Sequence, residues 1–140
     1  MAPFDDEIDE AAMAEAEAAL KALAEEYPAY AEADVEQMAA SIAALQAAGG
    51  ADAGLVAEVY ATAHNIKGQG SAFGYDLMTE LGEALCTLTR DRAALDAGPL
   101  AAAAALIAAC RTVLTERLTG DGGVFGAQLR ANLGLSLKAA

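Results

Sequence analysis

Apolar residues recur along this chain at intervals of three and four, and they fall into five segments. The first holds Met13, Ala16, Leu20, Leu23 and Tyr27. The second holds Val35, Met38, Ile42 and Leu45, and the third Leu55, Val59, Ala63, Ile66 and Phe73. The fourth runs through Leu77, Leu81, Leu85 and Leu88, the fifth from Leu100 through Ala103, Ile107, Cys110 and Leu114 to Leu118. This spacing puts one apolar stripe on each of five helices. Pro28, Gly49-Gly50, Gly74, Gly98-Pro99 and Gly120–Gly123 punctuate the segments. Asp52 and Asp76 are candidate N-caps, and Pro99 suits a first helical turn. Short connections make consecutive helices antiparallel neighbours. The simplest architecture is therefore all-α, an up-and-down antiparallel helical bundle. The segment from Val124 to Leu137 is a candidate for a short extra helix.

Composition narrows this picture. The chain has 140 residues, the size of a single domain over 1–140, and is 56% hydrophobic. Alanine, leucine and glutamate dominate, which favours helix throughout. The formal net charge of −13 repels nucleic acid and anionic membranes and would attract a basic protein patch. Cys86 and Cys110 sit among apolar neighbours and read as small buried residues. No run of 18 strongly apolar residues stands out, and the Ala101–Ala105 run is short. The start, MAPFDDEIDE, is too acidic for a signal peptide. These features lead to the expectation of a soluble cytoplasmic protein. The acidic run itself suits a helix N-terminus.

One stretch breaks the pattern. TAHNIKGQGSAFGY, Thr62 to Tyr75, holds the only histidine and three glycines. With Leu55 set at zero on a helical wheel, the core stripe spans about 0–80° and His64 falls near 180°. The imidazole should therefore face solvent from mid-helix. Its outer-face neighbours are small: Ala57, Ala61, Gly68 and Ser71. Tyr60 and Lys67 stand on one flank. A glycine at position 68 costs about 1 kcal/mol relative to alanine in a helix interior. Close approach of another body to the imidazole is the natural compensation.

Several chemistries lack support. No second histidine or cysteine lies one turn away to share a metal. No serine or cysteine stands beside the histidine with a carboxylate orienter. GQGSAFG has neither the dinucleotide spacing nor a preceding strand, and there is no Walker loop. Nucleophilic catalysis by the imidazole remains. Imidazole is largely unprotonated at cellular pH and can attack electrophilic phosphorus. Lys67, one turn on, can neutralise a phosphoryl oxygen. Phosphoryl transfer needs mainly positioning and charge neutralisation.

His64-Asn65-Ile66-Lys67-Gly68, with Gly74 closing the pattern, resembles the HxxKGxxxxxG motif of histidine-containing phosphotransfer domains. The following DLMTELGEAL is also similar, and AFG looks like the variant in chemotaxis-type kinases. The resemblance implies an up-and-down antiparallel four-helix bundle with one or two accessory helices and a phosphohistidine on His64, with Lys67 helping to hold the phosphoryl group and Gly68 leaving room for it. Gly74 would permit the turn into the next helix. Ala57, Tyr60, Ala61, Ser71 and Met78 would line the docking patch. The implied partners are receiver domains of response regulators, and a hybrid histidine kinase in addition. The chain would need no cofactor of its own, since Mg²⁺ belongs to the receiver. It would be a monomeric phosphoryl carrier in a two-component phosphorelay, with no kinase domain and so no autonomous enzyme activity. Two other readings stay open. One is a substrate domain phosphorylated directly by a chemotaxis-type kinase, less favoured because no long polar linker follows the fifth segment. The other is a helical adaptor that carries no phosphate.

Overall fold

The computed structural model describes residues 2–133, with side-chain surroundings from Asp9 to Asn132. The described residues form five helices: α1 (Ala2–Ala47), α2 (Ala53–Gly70), α3 (Asp76–Thr89), α4 (Ala97–Thr115) and α5 (Gly123–Leu133). A 3-10 turn, Ser71–Phe73, links α2 to α3. The C-terminal half of α1 joins α2, α3 and α4 in a closed ring, each packed on two others. The core is aliphatic: Val35, Met38, Ile42 and Leu45 from α1 meet Val59, Ile66, Leu81, Leu85 and Val113, all buried. The all-α bundle expected from the spacing is the observed architecture.

Two expectations fail on α1. Pro28 does not end a helix, because the first two segments are one helix of 46 residues. A proline in a helix interior costs about 3 kcal/mol. Here alanine-rich neighbours favour continuation, and Tyr27 is wedged between Phe73 and Tyr75, with ring centroids 5.2 and 5.1 Å away. The second failure is burial. Met13, Leu20 and Leu23 are exposed, at 62%, 59% and 46%, and burial on this stripe begins in earnest only at Tyr27. At 1.5 Å per residue α1 is about 69 Å long, so its first half outruns the bundle.

Elsewhere the punctuation acts as expected, with small shifts. Asp52 caps α2, its Oδ1 accepting from the Leu55 N–H at 3.1 Å. Asp76 is not a cap. It is the first residue of α3, after Tyr75, and makes no capping bond. Pro99 is the third residue of α4. Gly50 has φ +83°, and a Cβ there would strike the Leu95 carbonyl. Its own carbonyl accepts from the Leu95 N–H at 2.9 Å, pinning the α1–α2 turn to the α3–α4 connection. Cys86 and Cys110 are buried free thiols. Burial pushes the Cys110 thiol up to about 12.

By length and composition α4 qualifies as a membrane span, with a mean hydropathy of 1.7 over its most apolar window. Its Leu100, Ala103, Ile107, Cys110 and Leu114 instead line the core. The accessory helix of the tail is α5. Positions 134–137 of that expected segment lie outside the described residues.

Candidate functional site

α2 is built with two opposite faces. Val56, Val59, Ala63, Ile66 and Gly70 are buried, one residue off the expected stripe at its start, where Leu55 is only half-buried. His64 lies opposite and is exposed, as are Ala57, Ala61 and Gly68. A Cβ added at Gly68 would meet nothing within 4 Å. Among the described residues nothing therefore requires a glycine at that position.

The close approach of α2 and α3 is set by two other glycines. A Cβ on Gly82 would lie 2.7 Å from the Lys67 nitrogen and 3.0 Å from the Ala63 carbonyl oxygen. One on Gly70 would lie 2.7 Å from the Thr79 nitrogen. Thr79 also ends α2: its hydroxyl donates to the Lys67 carbonyl at 2.9 Å and accepts from the Ser71 N–H at 2.8 Å. The hydroxyl thus occupies the place of the next helical hydrogen bond, and the chain tightens into the 3-10 turn. Gly74 follows with φ +85°, a left-handed conformation that glycine adopts without strain. It turns the chain into α3.

Side chains from both helices gather near the imidazole. The Tyr60 ring, one turn before, lies 6.0 Å from the His64 ring at 38°. Arg90, just past α3, places its guanidinium 5.8 Å from the Tyr60 ring centre, within cation–π range. Hydrogen bonding to Tyr60 raises the Arg90 pKa above the ordinary guanidinium value. Lys67 Nζ is 2.7 Å from Glu83 Oε1. Hydrogen bonding to Glu83, and then its charge, raise the lysine pKa. The same contact lowers that of Glu83 against the opposing effect of partial burial. Lys67 is therefore a firmly charged ammonium one turn from His64.

Of the residues expected to form the site, His64, Lys67, Gly68, Ala57, Tyr60, Ala61 and Ser71 lie on or beside one face. Met78 does not. It is fully buried, because it packs inward one turn into α3, and it cannot line a docking patch. Sequence reasoning missed Glu83, Arg90, Thr79 and Gly82. The first three depend on the register between α2 and α3, which no local pattern encodes. Gly82 carried the same signal as Gly68, a glycine inside a helical run. Among the described residues no three His, Cys, Asp or Glu side chains gather as a metal site would require.

The chain matches no protein family, no curated protein and no solved structure.

Proposed function

We propose that this chain is a histidine phosphotransfer protein, taking a phosphoryl group onto His64 from a receiver-domain aspartate and passing it to another receiver. The observation that carries the reading is a solvent-facing imidazole in mid-helix, beside a glycine that no contact among the described residues explains. A nitrogen lone pair of His64 attacks phosphorus as the bond to the aspartyl oxygen breaks. The leaving electron pair stays on the aspartate carboxylate. Tyr60 supports the imidazole from one side. Lys67, held cationic by Glu83, offsets charge on the phosphoryl oxygens. The bare surface of Ala57, Ala61 and Gly68 admits the donor, and Mg²⁺ enters with the receiver.

The test is intact mass after mixing the protein with a phosphorylated receiver. One acid-labile phosphoryl group should appear on the natural chain and none on His64→Gln. Label persisting on the variant would remove the site. A parallel incubation with a kinase core and ATP, without any receiver, distinguishes direct phosphorylation by a chemotaxis-type kinase. Signalling that survives His64→Ala would favour a phosphate-free adaptor.

A further inference from the structure

Glu83 stands where it takes charge away from the neighbourhood of His64. It reaches from α3 to Lys67, with its Oε1 2.7 Å from the ammonium. Both side chains are part-exposed as a whole, but Oε1 itself is sealed from water. Among the described residues no other cation forms an ion pair with it. Arg90 acts on Glu83 by charge alone, because its guanidinium is engaged with Tyr60. The pairing is set by the packing of α2 on α3. Gly82, next to Glu83 in the chain, lies so close to α2 that a Cβ on it would be 2.7 Å from the Lys67 nitrogen. Glu83 is thus held beside the side chain of Lys67 by a backbone contact, not by a chance meeting of two surface chains.

We infer that Glu83 keeps a phosphoryl group on His64 in transit: by holding Lys67 it withholds charge that would otherwise settle the phosphohistidine, and it favours onward transfer over storage. The inference rests on the proposal that His64 accepts the phosphoryl group. An unpaired lysine is already cationic at neutral pH, so Glu83 adds no positive charge to the site and subtracts one. His64 and Lys67 are one turn apart on α2, close enough for an anionic group on the imidazole to draw the ammonium. Moving the ammonium onto a phosphoryl oxygen strips a sealed carboxylate oxygen of its partner, which is unfavourable. Leaving it in place lets the carboxylate cancel much of its field at the phosphoryl group. Either way Lys67 stabilises the phosphohistidine less than a free lysine would.

The test is the equilibrium with a phosphorylated receiver, in which the N–P bond on His64 forms as the O–P bond on the aspartate breaks. The ratio of phosphohistidine to aspartyl phosphate should rise about 2- to 5-fold in Glu83→Gln and fall in Lys67→Met. If Glu83 served instead to aim Lys67, both variants would lower the ratio. In the Lys67→Met background, Glu83→Gln should lose most of its effect. Thermal unfolding checks that each variant keeps the bundle. A ratio unmoved or lowered in Glu83→Gln overturns the inference, as does a full effect without Lys67. Phosphoramidate gives the same comparison without a receiver: its phosphoryl group passes to the imidazole, its own N–P bond breaks, and ammonia leaves with the imidazole proton. At a fixed ratio of reagent to ammonia, His64, the only histidine, should be labelled further in Glu83→Gln than in the natural chain and less far in Lys67→Met. A natural chain labelled by phosphoramidate and by no receiver would end the phosphotransfer reading. A Glu83→Gln chain labelled no further than the natural one would end this inference alone.

Discussion

Gly68 carries a cost that the fold does not need. It sits in a helix interior, exposed, with open space where a Cβ would go. Gly68→Ala should therefore stabilise the protein by about 1 kcal/mol in urea unfolding. If the space serves a docking receiver, the same change should slow labelling of His64. A stabilised variant labelled at the natural rate would separate Gly68 from the site. Lys67 and Glu83 make a second prediction, one about pH. The carboxyl of Glu83 is held low, so the pair's contribution is present above the ordinary carboxylate range and fades as pH falls through the lowered value. The ammonium is held high, so its share is complete below the ordinary lysine range and is lost as pH rises through the raised value. Both side chains are well exposed, at 39% and 44%, so the effect on stability is small. The titration itself is the better readout. In Lys67→Met the Glu83 carboxyl should titrate at higher pH by carbon NMR, and an unmoved titration would show that the pair does not form in solution.

The α2–α3 hairpin shows what local pattern can and cannot encode. The outward turn of His64 followed from its angle against the apolar stripe, and the exposed neighbours followed with it. The existence of α2, α3 and α4 followed from periodicity. Met78, expected in the docking patch, is buried, because its burial depends on how α3 rolls against the core. Glu83 and Arg90 reach the site only because the two helices touch backbone to backbone. Pro28 misled because a proline is a local signal that the long apolar and alanine-rich context overrode. Gly82 is the contact that fixes the register. A methyl there would press on the Lys67 nitrogen and Cα at 2.7 and 2.9 Å, atoms of a helix backbone that cannot swing aside. Gly82→Ala should cost about 1–3 kcal/mol. It should also part Lys67 from Glu83, so the lowered Glu83 titration should return toward the ordinary range. A variant as stable as the natural protein would mean that α2 and α3 do not pack this closely.

α5 connects the far end of the site to the rest of the bundle. The Gly120 N–H donates to the Gly74 carbonyl at 2.7 Å, and the Gly120 carbonyl accepts from the Leu77 N–H at 3.1 Å. The left-handed turn after α2 is thus held by the α4–α5 loop. Arg130 fastens α5 to α3 through a forked contact with Glu80, at 3.0 Å from Nε to Oε1 and 3.0 Å from Nη2 to Oε2. Nη2 also donates to the Asp121 carbonyl at 2.8 Å. Glu80 is nearly sealed from water, its side chain 5% exposed. Removing one partner leaves a buried carboxylate without compensation, a loss of about 3–5 kcal/mol, whereas replacing both by apolar groups of similar size is often close to neutral. Arg130→Met should therefore be strongly destabilising, and Glu80→Met with Arg130→Met should recover most of the loss. Hydrogen exchange locates the effect. In the single variant the amides of Gly74 to Glu80 and of α5 should exchange faster, while those of α1 around Met38 should keep their protection relative to global unfolding. Uniform loss across all helices would show that α5 is part of one cooperative unit with the core and not a brace on the turn beside His64.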